Sequence, residues 1–151
     1  MKPLAIFLAC SLLWSCGRDS SNSKAVTKDN APQSLTRIIT YQFGGDGTTE
    51  VLVTDFNGAA NKTVTVSGKQ VTVPVELQEF NYLWNAQDEV PIIKASLLGE
   101  AFSGIDTETH HIISYVTTGT TRTANMHAVP QSGVTPEFKE WLQRLLQTKR
   151  G

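Results

Sequence analysis

Between residues 36 and 75 apolar and polar side chains alternate with the period of a strand, and from residue 135 onward they recur with the period of a helix. Residues 36–43 (TRIITYQF) and 49–55 (TEVLVTD) are dense in β-branched and aromatic side chains and predict two strands, the second followed by the turn dipeptide Asn57-Gly58. Val falls at every second position over 63–66 and 70–75, mostly in alternation with Thr, with Ser67-Gly68-Lys69 between them, which predicts a further hairpin. The period then changes. Leu77, Phe80, Leu83 and Trp84 fall at i, i+3, i+6 and i+7, one face of a helix over residues 76–86. Residues 90–98 fit a strand or a short helix, and the segment around Ser103-Gly104 reads as a loop.

Residues 108–117 and 121–129 predict a hairpin around Thr118-Gly119-Thr120. With Thr118 and Gly119 as the central turn residues, His110 would lie directly across from His127 and His111 across from Met126. Residues 135–150 predict a terminal helix, with Thr135 as N-cap, Pro136 at the first helical position and Glu137 in the first turn. Its apolar stripe is Phe138, Trp141, Leu142, Leu145 and Leu146, with Lys149 and Arg150 near the negative end of the helix dipole. Ile38-Ile-Thr-Tyr41 is echoed by Ile112-Ile-Ser-Tyr115, each opening a hairpin that leads to a Trp-bearing helix. A helix with one apolar stripe needs a surface to cover. The expected fold class is therefore α+β: an antiparallel β-sheet built from hairpins, covered on one face by the C-terminal helix and a shorter middle helix.

The first residues change the picture of where such a domain works. MKPLAIFLACSLLWSCG has one basic residue, Lys2, then an apolar run over 4–14 that is too short for a bilayer, which takes about 20 apolar residues. Leu13-Trp14-Ser15-Cys16 resembles the lipobox of bacterial lipoproteins, with Leu three before the Cys, a small residue just before it and Gly17 after; Trp14 departs from the family pattern. The resemblance implies a signal peptide over 1–15, cleavage before Cys16, and a diacylglycerol thioether plus an acyl chain (palmitate class) on Cys16. It implies localisation in the bacterial cell envelope, with the bilayer as a partner through Cys16. Gly17 stands where an Asp would favour the inner membrane, which points to the outer membrane. Residues 17–34 are polar, with a Pro and one apolar side chain larger than Ala, so 16–34 reads as a lipidated Cys plus flexible tether, reaching about 25 Å as a random coil. Residues 35–151 remain as a single globular domain. Cys10 leaves with the signal and Cys16 is lipidated, so this domain holds no disulfide. Cleavage removes one Lys and no acidic residue, taking the net charge from −1 to −2, which gives no electrostatic case for nucleic acid.

Candidate chemistry is sparse. Gly44-Gly-Asp-Gly-Thr48 resembles the phosphate-gripping GGDGT of diacylglycerol-kinase-like lipid kinases and NAD kinases. There a helix follows the glycines and presents its N-terminus to phosphate. Here a strand pattern follows, so Gly44, Gly45, Asp46 and Gly47 read as a hairpin loop needing positive φ, an exposed loop that a partner can touch, with no nucleotide. His110 and His127, if paired across the hairpin, would offer two imidazoles to Zn²⁺ or Cu²⁺, with Met126 a soft neighbour on the other face and Glu108 the candidate third ligand. Ser103 does not match G-x-S-x-G, since residue 101 is Ala and residue 105 is Ile. Apart from the lipid on Cys16, no cofactor is implied. The order of strand, Gly-Gly turn, strand, Trp-bearing helix, acidic loop, Tyr-bearing strand, hairpin and Leu-rich helix over 36–147 resembles emfourin, a small bacterial inhibitor of thermolysin-type metalloproteases. The Val/Thr hairpin at 63–75 departs from it. The expectation is a non-enzymatic, membrane-anchored protein-binding module; the alternatives are such an inhibitor or a weak metal-binding envelope protein.

Overall fold

The structure is a computed structural model, and it describes residues 34–45, 48–99 and 105–148. The signal segment with Cys16, the tether up to residue 33, Asp46 and Gly47, Ser103-Gly104, and Lys149 and Arg150 lie outside the described residues. What is described belongs to one unit, Pro32–Gly151. Four strands come first: β1 (Thr36–Phe43), β2 (Thr49–Phe56), β3 (Ala59–Val66) and β4 (Lys69–Val75). Helices α1 (Leu77–Glu89) and α2 (Pro91–Ala95) follow, then β5 (His110–Thr118), β6 (Thr123–Pro130) and α3 (Pro136–Leu146). The strands form one antiparallel sheet in the order β4-β3-β2-β1-β5-β6, and the helices supply the second layer. The α+β class expected from the sequence is the fold observed.

Local chemistry explains the hairpins. Asn57 and Gly58 have φ of 51° and 88°, and Ser67 and Gly68 have φ of 48° and 77°. Two successive positive φ values make the tight turn whose twist matches that of the flanking strands. A two-residue turn also sets where the next strand begins. β3 starts at Ala59, four residues earlier than the Val/Thr pattern suggested, because nothing separates it from Asn57-Gly58.

Register aligns the inward side chains in rows. Val71, Val64, Val51, Tyr41, Ile113 and His127 form one row across all six strands, and Val73, Lys62, Val53, Ile39, Tyr115 and Asn125 form the next. The echo noted in the sequence meets itself at the sheet centre. Ile39 pairs with Tyr115 and Tyr41 with Ile113 about the Thr40–Ser114 pair, so the two copies are reciprocal neighbours.

Phe80, Leu83 and Ala86 of α1, Ile93 of α2, and Phe138, Trp141 and Leu145 of α3 close the core over these rows. The stripe of α1 is rotated from the expected one: Leu77 is 44% exposed, while Ala86 is buried and Trp84 half-buried. The Leu83 carbonyl accepts from Trp141 Nε1 at 3.2 Å and from Tyr115 Oη at 3.3 Å, tying α1 to α3 and to the sheet. Pro91 ends α1, since the preceding Val90 is held extended (φ −87°, ψ 111°) and Pro91 opens α2. Residues 90–98 are thus a short helix followed by a strand-like bridge, Leu97 to His127. In α3 the Thr135 hydroxyl accepts from Phe138 N at 3.3 Å, the cap read from the sequence, but the helix ends at Leu146 instead of reaching residue 150.

Candidate functional site

The expected histidine pair is not formed. The loop between β5 and β6 spans four residues, 119–122, so the register differs by three from the one a Thr118-Gly119 turn would set. His110 faces Pro130, His111 faces Val129, and His127 faces Ile113. An odd shift reverses the face. His127 therefore points into the core, and His110 lies on the opposite side of the sheet with its Nδ1 at 2.9 Å from Thr109 Oγ1. The described residues contain no group of three or more His, Cys, Asp or Glu that could hold a metal ion.

The two buried histidines have other partners. His127 Nδ1 donates to the Ile93 carbonyl at 2.7 Å, while its buried Nε2 has no partner among the described residues. His111 Nδ1 is 2.9 Å from Tyr41 Oη, and its ring stacks on Phe43 with centroids 4.1 Å apart. Burial pushes both imidazoles below the ordinary histidine pKa; His110 adds to this at His111, and the Ile93 bond opposes it at His127.

The glycine loop is anchored where it is described. Gly44 (φ 104°) donates its N–H to the Thr107 carbonyl at 2.8 Å, and Gly45 (φ 54°) packs so close to Glu108 that a Cβ would sit 2.8 Å from its Cγ. Both glycines are half-buried against the turn that precedes β5, and β2 resumes at Thr49 with no helix behind them.

Three charged side chains on the inner face escaped the sequence reading. Arg37 Nε and Nη2 donate to Asp55 Oδ2 at 3.0 and 2.8 Å, and the guanidinium lies over the Phe80 and Trp84 rings at 4.6 and 5.5 Å. Buried Lys62 donates from Nζ to the Arg144 carbonyl at 2.9 Å, at the C-terminal end of α3; burial lowers its pKa, and Glu79 acts against that. The Asn57-Gly58 turn was the available signal for Lys62, because it fixes residues 59–62 as strand and Lys62 on the inward parity.

Beside Lys62 a groove of about 310 Å³ is lined by Glu76, Gln78, Glu79, Tyr82 and Arg144. Arg144 pairs with Glu79 at 3.4 Å and Glu140 at 3.2 Å and lies 4.1 Å over Tyr82.

The opposite face of the sheet is covered by none of the described helices. Leu52 (44% exposed) and Phe56 (54% exposed) project from β2, with Ile38, Val116 and Met126 half-buried on the same side. Threonines 36, 40, 54 and 63 surround them. Ile112 and Ala128 on this side are buried, so among the described residues the exposed large apolar side chains of this face are the two on β2. Such a surface can exclude water against a complementary apolar patch while hydroxyls at its rim make hydrogen bonds. The chain matches no family model, no curated protein and no solved structure. Among the described residues no helix is long and apolar enough to cross a membrane.

Proposed function

We propose that this protein is a membrane-anchored lipoprotein of the bacterial envelope whose α+β domain is a non-enzymatic protein-binding module. The observation that carries the reading is the exposed pair Leu52 and Phe56 on the sheet face that no described helix covers. A sheet braced from behind by three helices holds such side chains in fixed positions, which lowers the ordering cost of association. The partner is an envelope protein with an apolar patch, reached from a lipid anchor on Cys16 across the tether. Cys16 and the spacing Leu13-Trp14-Ser15-Cys16 support the anchor.

The test places a photo-reactive amino acid at Leu52 or Phe56 in cells, with Lys139 on the exposed side of α3 as control. A discrete adduct from the first two positions and none from Lys139 is the expected result. Equal labelling from all three would sink the reading. The anchor is tested separately, since Cys16→Ser should release the protein from membranes; continued membrane association would refute it.

A further inference from the structure

The two edges of the sheet are treated differently. At β6 two of the outward groups are engaged: Ala128 N donates to the Ser96 carbonyl at 3.2 Å, and Leu98 N donates to the Met126 carbonyl at 2.7 Å. At β4 the outward groups have no backbone partner among the described residues. Which groups these are follows from the Ser67-Gly68 turn. A two-residue turn makes its flanking pair, Val66 and Lys69, mutually hydrogen-bonded. Residues 69, 71, 73 and 75 then bond to β3, and residues 70, 72 and 74 point away from the sheet. Pro74 fits, because its missing N–H falls on an outward position.

We propose that β4 is a homodimerisation edge, pairing antiparallel with β4 of a second copy about a two-fold axis at Val71. In that register Gln70 lies opposite Thr72 of the second copy and Thr72 opposite its Gln70. Both outward N–H donors of each copy find carbonyls, four hydrogen bonds in all by the antiparallel pattern. Pro74 selects this register. Centring the pair on Thr72 would set the Pro74 ring against Gln70 of the other copy, at a hydrogen-bonded position where a proline cannot donate. Side chains agree with the backbone. Val71 belongs to the inward row yet is 48% exposed. At the axis Val71 meets its own counterpart at a non-hydrogen-bonded pair, where side chains approach most closely. Residues 70–73 carry no charge, and Lys69 falls opposite Val73 and away from the other Lys69, so like charges are not opposed. The contact is isologous and closes on itself, leaving a twelve-stranded sheet whose ends are the two β6 edges, each engaged by its own Ser96–Leu98 segment. This inference does not rest on the proposed partner of the Leu52–Phe56 face.

The experiment uses the full chain with Cys10→Ser and Cys16→Ser, and adds Val71→Cys or Thr72→Cys under mild copper–phenanthroline oxidation. Facing Cα atoms in a non-hydrogen-bonded pair are close enough for a disulfide. Val71→Cys should form disulfide-linked dimer at least about tenfold faster than Thr72→Cys. In parallel, light scattering should show wild-type mass doubling between micromolar and submillimolar protein. Thr72→Pro should abolish the doubling with the circular dichroism spectrum kept, since the N–H it removes points away from β3. A monomeric wild type across that range, equal cross-linking at the two positions, or a Thr72→Pro variant that still dimerises with its fold intact would each overturn the proposal.

Discussion

Removing either partner of the Arg37–Asp55 pair should destabilise the domain, and removing both should cost less than either alone. Asp55 is 3% exposed; its Oδ2 accepts two bonds from Arg37, and its Oδ1 accepts one from Gly58 N at 2.8 Å. Breaking a buried pair on one side costs about 3–5 kcal/mol, mostly because the remaining charge is stranded. The Arg37 side chain is 21% exposed against 5% for Asp55, so water reaches a stranded guanidinium more easily than a stranded carboxylate. Asp55→Val should therefore cost about 3 kcal/mol, with Arg37 still held over Phe80 and Trp84, and Arg37→Met about 4–5 kcal/mol. In Arg37→Met/Asp55→Val no charge is buried, and the loss should fall to about 1–2 kcal/mol, a coupling of several kcal/mol. Urea denaturation of the four proteins gives the cycle. A loss of about 3 kcal/mol would lower Tm by roughly 12 °C at this domain size. Strictly additive losses, or an Arg37→Met variant more stable than Asp55→Val, would refute the reasoning.

Mild acid should destabilise the domain through its two buried histidines. Burial holds His111 and His127 below their unfolded pKa of about 6.5, so the unfolded chain binds protons first. Their contribution is complete above that value and lost as pH falls below it; a flat urea midpoint between about pH 7 and pH 5 would contradict this. His111→Phe, which keeps a ring against Phe43 and Phe138, should flatten part of that slope in the same titration. Gly45→Ala should cost more than Gly68→Ala. Both have positive φ, worth about 1 kcal/mol of strain, but a Cβ at Gly45 meets Glu108 at 2.8 Å and one at Gly68 meets nothing within 4 Å. Glu108→Ala should bring the two losses together in thermal melts. Trp141→Phe should cost about 1–2 kcal/mol through the Leu83 carbonyl bond, and Trp141→Ala about 3–5 kcal/mol through the cavity, both measurable by chemical denaturation.

Whatever depends on neighbours in the chain was legible in the sequence. Asn57-Gly58 and Ser67-Gly68 specify turns because only a few residue types accept positive φ, although Lys69, expected between the strands, opens β4; the Val alternation of 63–66 and 70–75 fixes which side chains share a face. Thr135-Pro136-Glu137 specifies a helix start through a cap, a proline without a needed N–H, and the helix dipole. Those signals sufficed for an α+β sheet covered on one side. Tertiary structure decided the rest. In 124–129, ANMHAV, the faces Ala/Met/Ala and Asn/His/Val are both tolerable inward, so alternation alone could not set the register of β6. Packing chose the second face: Val129 fills the core, Asn125 Nδ2 bonds Gln87 Oε1 at 3.0 Å, and the Ile93 carbonyl takes the His127 N–H. The same non-local choice put Arg37, Asp55 and Lys62 on the inner face, where ion pairing and a helix-end carbonyl offset their lost hydration. Two strand patterns can be read as strands one residue at a time, but the partner across the ladder is chosen by what the whole core can satisfy.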